Sequence, residues 1–396
     1  MYMLSRRMSY IKPSPTLEIS KLTLDLKEKG FDVISLGAGE PDFDTPDNVK
    51  SAAVAAINAG KTKYTPVSGI HELKDAVIYR MKTDYGIEYT RSQVLVGTGA
   101  KQCIYNLFMA TLNDGDEVIV PAPFWVSYPD MVKIAGGVPV IVNCDERLKL
   151  TPERLLNAIT PKTKWLVINS PSNPTGVVYS IEDLQGIANV LRQHPHVNVM
   201  SDDIYSKLVY GVEFVNILHA DDELYDRVYV VNGVSKSYSM TGWRIGYVVG
   251  HQSVITAAST IQSQSTTNAS SIAQYAAVEA LMGDHSFLDT RLRAFRQRRD
   301  KVIQTVKSTS VLGATLPQGA FYVFVSCDMA IGKKSEKVGE IRDDTDMSKH
   351  LLDYGVAVVP GIAFGAPNFF RISYALSDDR LSEACQRIIK ACQNIN

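Results

Sequence analysis

Gly233-Val234-Ser235-Lys236-Ser237-Tyr238-Ser239-Met240-Thr241-Gly242-Trp243-Arg244-Ile245-Gly246 sets one lysine in a loop of small residues and an arginine eight positions after it. Two apolar runs, Arg227–Asn232 and Ile245–Gly250, flank the loop and read as strands. Glycine and serine let the backbone come close to a bound group, and an arginine fork matches a phosphate. An amine beside such a fork is what covalent capture of a phosphorylated aldehyde requires. A lysine in a surface turn is the commoner meaning of a loop like this, so its surroundings decide.

Upstream, Val94–Gly97, Glu117–Val120, Val138–Val142, Lys164–Asn169 and Val197–Ser201 are apolar and mostly β-branched. With the two flanking runs they make seven strands, expected to be buried on both faces. Helical patterns separate them. Pro46-Asp47 opens one that Gly60 ends, and Lys101–Leu112 closes at Asn113-Asp114-Gly115. Ser180 caps Ile181–Leu191, with Asp183 placed for a capping box. This alternation predicts an α/β fold with a mostly parallel seven-stranded sheet between helices.

After about Ser253 the rhythm changes. One long helical stretch is expected to Met282, followed by the basic Arg291–Arg299 segment. Strands are expected at Ala320–Ser326, Val356–Val359 and Phe370–Tyr374, and helices at Ser348–Tyr354 and Asp378–Ala391. Gly332–Asp346 reads as a solvated polar loop. A chain of 396 residues exceeds what one core usually serves. Two domains are therefore expected: a large one over residues 47–287, and a smaller α+β one from residues 1–46 and 288–396.

Acidic and basic side chains nearly cancel, 42 against 41, so no global field draws nucleic acid or an anionic membrane. The five cysteines form no CxxC pair and the histidines no HExxH, so neither disulfides nor a metal is expected. No run of apolar residues is long enough to span a bilayer, and Arg6-Arg7 leads into no apolar signal segment. A cytoplasmic location is the expectation.

The string around Lys236 resembles the cofactor-attachment motif of class I aminotransferases at every fixed position, and the resemblance extends over essentially the whole chain. It implies a fold-type-I enzyme with pyridoxal 5'-phosphate on Lys236. Arg244, Ser235 and the backbone of Gly99, Ala100 and Lys101 would hold the phosphate, the last three at a helix N-terminus. Asn173 in Ser170-Pro171-Ser172-Asn173-Pro174-Thr175-Gly176 and Tyr205 would address the phenolic oxygen. Asp202 in Ser201-Asp202-Asp203-Ile204-Tyr205 would pair with the ring nitrogen, and Trp125 would stack on the ring. Tyr64 matches a tyrosine that reaches the phosphate of a neighbouring subunit, which implies a homodimer with shared sites. Two positions depart from the pattern: Asp203 stands where glutamate is commoner, and Gly233 where some relatives have serine.

Substrate contacts follow from the same resemblance. The Gly39 backbone and Arg371 would take the α-carboxylate, Arg371 as a two-pronged clamp, with Trp125 and Asn173 beside them. Lys101 and Lys12 match positions that address a distal carboxylate, and Thr16 adds a hydroxyl. Lys236, Asp202 and Tyr205 are the expected catalytic residues. The expected reaction is ping-pong transfer of an amino group from aspartate or glutamate to a 2-oxo acid. Within the family the likeness leans to bacterial aspartate aminotransferases, some of which also use prephenate. The alternatives are a C–S β-lyase, an aromatic aminotransferase, or an aminotransferase-like ligand sensor fused to a helix-turn-helix. For the last, too few residues precede the first family strand.

Overall fold

The computed structural model describes residues 3–396. A short strand, β1 (Ile34–Ser35), comes first. The main sheet follows: β2 (Val94–Gly97), β3 (Glu117–Ala122), β4 (Val138–Asn143), β5 (Thr163–Asn169), β6 (Asn198–Asp202), β7 (Val228–Gly233) and β8 (Gly246–Val249). Its seven strands lie in the order β2-β8-β7-β6-β5-β3-β4. Neighbours run parallel except at β8, which is antiparallel to both β2 and β7. Every residue of β2, β7 and β8 is buried, as continuous Val-rich runs require. The expectation of two-faced burial fails at β4, where Val138 is 46% and Ile141 44% exposed. β4 is one of two edge strands; the other, β2, is buried throughout, with the helices His71–Tyr85, Ala100–Thr111 and Gln252–Ser263 packed against it.

The capping box of Ser180 and Asp183 forms as expected at Ile181–Arg192. The single long helix does not. It is two helices, Gln252–Ser263 and Ser271–Met282. Between them the polar run Gln264–Asn268 offers side chains that compete for the backbone, and Thr267 turns to φ 61°. Ser270 then restarts the helix by accepting from the Ala273 N–H. Five helices had no counterpart in the sequence reading: Pro15–Glu28, His71–Tyr85, Ser127–Ile134, Pro152–Ala158 and Ile217–Ala220, the second ending at Gly86 with φ 68°.

Beyond the 21-residue helix Phe287–Lys307, which contains the basic Arg291–Arg299 segment, lie β9 (Gly313–Ala314) and β10 (Tyr322–Ser326). The expected start at Ala320 is two residues early, because Ala320 sits at φ 55°. The expected polar loop contains a hairpin of β11 (Lys334–Ser335) and β12 (Gly339–Glu340), then the start of the helix Asp344–Asp353. Val356–Val359 splits into β13 (Val356–Ala357) and β14 (Val359–Pro360), which serve different sheets. With β15 (Phe369–Ser373) a four-stranded sheet forms in the order β14-β15-β10-β9. β13 pairs in parallel with β1, so the N-terminal segment joins the C-terminal part. Apolar side chains pack on both faces of the main sheet, while a separate core unites Ile34 and Leu36 with Phe321, Val323 and Ile388. Buried Arg298 ties the N-terminal segment to the C-terminal helix Asp378–Gln393, paired at 2.7 Å with both Asp42 and Asp378.

Candidate active site

Parallel strands carry their ligands at their carboxyl ends, and here a cavity opens at the ends of β5, β6 and β7. Residues from the N-terminal segment and β15 complete its wall.

Asp202 is the last residue of β6 and points into the cavity. Its Oδ2 accepts from the Tyr128 hydroxyl at 2.6 Å, and its Oδ1 from the Ile204 N–H at 3.3 Å. Burial nevertheless pushes the carboxyl up to about 6, against the pull of Tyr128, Ile204 and Lys236. No cation pairs with it among the described residues. Successive strand side chains face opposite ways, so Asp203 lies behind the sheet. There it accepts from Ser201 Oγ and Asn216 Nδ2, both at 2.7 Å, and burial lifts it to about 8.

Lys236 follows β7. Its Nζ donates to the Gly39 carbonyl at 2.5 Å, and burial brings its pKa down to about 8. Glu40 and Asp202 oppose that fall, while Arg244 and Arg371 add to it. The lysine, the ring-nitrogen candidate and the phosphate candidate thus stand around one space, as does Ser235.

Arg244 adopts φ 56°, a strained value for a residue with a side chain, and its Nη1 donates to the Thr241 carbonyl at 2.8 Å. Its guanidinium occupies the space that a Cβ on Gly99 would fill, and Gly99 has φ 83°. A Cβ on Gly246 would likewise strike the Ala100 nitrogen. Both glycines are therefore required for β8 and Arg244 to crowd the N-terminus of the helix Ala100–Thr111. The first N–H groups of that helix have no carbonyl inside it to bond. Lys101 Nζ stands 4.9 Å over the Trp125 ring, and burial with Arg244 nearby lowers its pKa.

Arg371 belongs to an interior strand, β15, and only 2% of it is exposed. It donates from Nη1 to Asn173 Oδ1 at 2.8 Å and from Nη2 to the Gly37 carbonyl at 2.6 Å, while Nε has no partner. Its Cζ sits 4.5 Å over the Tyr322 ring and 5.0 Å over that of Phe364. Among the described residues no carboxylate neutralises it. Asn173 is itself fixed by donating its N–H to Asn169 Oδ1 at 2.8 Å.

Gly39, Ala100, Lys101, Trp125, Asn173, Tyr205 and Thr16 also line the cavity. Lys12 does not; it is exposed and lines an adjoining groove together with Lys101 and Arg244. Tyr64 is 90% exposed and lies outside the cavity of its own chain. Sequence reasoning missed Tyr128, Asn169 and Tyr322. Tyr128 stands three positions after Trp125, and the two rings meet edge-on at 5.2 Å.

These features fit a phosphorylated pyridine aldehyde. A buried amine awaits a carbonyl, an uncompensated carboxylate awaits a cation, and a helix N-terminus with a crowded arginine awaits an anion. The chain matches the family model for aminotransferase class I and II over residues 32–388. It is 52% identical, over 100% of both chains, to a probable aspartate/prephenate aminotransferase of Rickettsia bellii. It is 51% identical, again over 100% of both, to an aspartate/prephenate aminotransferase of Cereibacter sphaeroides. Among solved structures, the aspartate aminotransferase of Rhizobium meliloti superposes with a TM-score of 0.97 at 46% identity, covering 100% of each chain. That of Thermus thermophilus with maleate gives 0.93 at 41% identity, covering 99% of this chain and 100% of the other.

Proposed function

The chain belongs to the class I and II aminotransferases, and from that premise we propose that it carries the amino group of aspartate or glutamate to a 2-oxo acid, prephenate among the acceptors. The observation that carries this reading is convergence: Lys236, Asp202 and Arg371, from three distant stretches, face one cavity with their charges uncompensated by ion pairs among the described residues.

Pyridoxal 5'-phosphate, when bound, supplies a ring that accepts the electron pair left at the substrate Cα. The protein's residues do the rest. Lys236 would hold the cofactor covalently, and its Nζ would carry the proton taken from the substrate Cα. Asp202 keeps a proton on the ring nitrogen. Tyr205 and the Nδ2 of Asn173 would donate to the cofactor's phenolic oxygen, and Trp125 would cover its ring. Arg244, Ser235 and the N–H groups of Gly99, Ala100 and Lys101 hold the phosphate, with Tyr64 of the partner subunit reaching it. Arg371 clamps the α-carboxylate beside Gly39. Departure of one oxo acid and entry of a second complete a ping-pong cycle.

We divide the chain at residues 47 and 287, the large domain lying between and the two flanking segments forming the small one; the separate cores support this. A homodimer is supported by the exposure of Leu17, Leu24 and Tyr64 in the single chain. Five free cysteines support a reducing, cytoplasmic setting. Among the described residues, no helix is long and apolar enough to cross a membrane.

An acidic substrate needs a second cation, since a buried unpaired carboxylate is costly. Lys101 stands in the cavity beside Trp125, with Lys12 in the groove next to it. The Thermus thermophilus relative holds maleate, a dicarboxylate, in support of this preference. Aspartate alone should bleach the visible absorbance of the loaded enzyme in a half-reaction. Sustained release of an elimination product without bleaching would favour a β-lyase instead. Lys101→Ala should cut efficiency on aspartate by about tenfold or more, because a hydrogen bond to a charged group contributes about 1.5–3 kcal/mol. An uncharged amino acid should be little affected. Equal losses on both substrates would assign Lys101 to the cofactor.

A further inference from the structure

Tyr322 has no role in the reading above, yet it stands where two of its parts meet. It is the first residue of β10, wholly buried, and lines the cavity. Its hydroxyl is 2.8 Å from that of Tyr205, a contact 117 residues apart in sequence, and its ring lies beneath Arg371. The backbone is shaped around it: a Cβ on Gly39 would come within 2.9 Å of Tyr322 Oη. Among the described residues, each hydroxyl has the other as its one hydrogen-bond partner.

We propose that Tyr322 is a positioning residue that donates to Tyr205 and so sets how strongly Tyr205 donates to the bound cofactor. The reasoning is a proton count. Both phenols are buried, and burial raises both above their ordinary range, so each keeps its proton at working pH. Two hydroxyls in contact share one O–H···O bond, leaving one proton free. When Tyr205 spends its proton on an acceptor in the cavity, its oxygen can only accept from Tyr322. The chain then runs Tyr322 to Tyr205 to acceptor, and each bond polarises the next. The ionisable groups around the pair are Arg371 on β15, Asp202 at the end of β6 and Lys236 after β7.

This inference rests on the proposed role of Tyr205, and its test separates the two. The readout is the pH midpoint of the visible absorbance of the loaded protein. A donor at the phenolic oxygen stabilises its anion, so weakening that donor raises the midpoint. Tyr322→Phe keeps the ring under Arg371 and removes only the hydroxyl; it should raise the midpoint by about half a pH unit. Tyr205→Phe should raise it further, and the double variant should match Tyr205→Phe alone. An unmoved midpoint in Tyr322→Phe, or a shift that survives in full in the double variant, overturns the relay. If Tyr205→Phe leaves the midpoint in place, the role of Tyr205 falls and the relay with it. Maleate affinity of Tyr322→Phe should be unchanged. Weaker maleate binding without a midpoint shift would assign Tyr322 to Arg371 alone and overturn the relay.

Discussion

Lys236→Ala is expected to lose essentially all turnover, on the order of 10⁴-fold or more, because in the proposed reading one side chain serves both as covalent anchor and as proton carrier. Each task needs an uncharged amine. At its ordinary pKa of about 10.5, a lysine is only about 0.03% uncharged at pH 7. Burial brings Lys236 down to about 8, so about 10% is free at pH 7 and the fraction climbs as pH rises through 8. Covalent capture of added cofactor by this amine should speed up over the same window. Lys236→Arg should fail as fully as the alanine variant, since a guanidinium stays charged. Cofactor should still be retained through Arg244 and the N-terminus of the helix Ala100–Thr111, but without a pH-sensitive visible band. The check is steady-state transfer from aspartate together with an absorbance titration of the variant. Near-normal transfer by Lys236→Ala would remove the central assignment.

How legible the molecule was depended on the range of the forces involved. The strands of the main sheet could be read because burial on both faces imposes continuous apolar runs, as in Val228–Gly233. Exposure of β4 could not, since it depends on what packs against the strand once the chain has folded rather than on its own residues. The break after Ser263 was written locally in polar residues, but the flanking apolar periodicity outweighed it. At the site, Lys236, Asp202, Asn173, Arg244 and Arg371, which line one cavity, were singled out because the segments that carry them resemble the family's motifs. Tyr128 and Tyr322 act through contacts 74 and 117 residues away in sequence, to Asp202 and Tyr205, and no local pattern marks them. Why Asp202 and not Asp203 faces the cavity likewise follows only from the pleat of β6.

Burial of the Asp202 carboxyl carries a cost that its proposed role accounts for. Its carboxyl is raised to about 6, above the ordinary 3.8, chiefly by burial. The folded chain therefore holds this proton more tightly than the unfolded chain does. Relative to a neutral residue, its contribution to stability falls as pH rises from about 4 to about 6 and is flat above that, with a loss of about 2–3 kcal/mol. Asp202→Asn has no such proton to lose. The stability of the cofactor-free variant relative to wild type should climb by that amount between pH 4 and 7, measured by denaturant melts. A cation bound beside the carboxylate reverses the sign, so loading with cofactor should erase the climb. In the proposed reading the same charge also serves turnover. Removing one side of a buried charge pair costs about 3–5 kcal/mol. Carried into the transition state, that is a rate loss of roughly 10²–10⁴-fold for Asp202→Ala, at about 1.36 kcal/mol per decade. Asp202→Glu should recover part of it by restoring the charge at a displaced position. A loss of tenfold or less, with no pH-dependent difference in the melts, would make Asp202 a structural residue hydrogen-bonded to Tyr128 and nothing more.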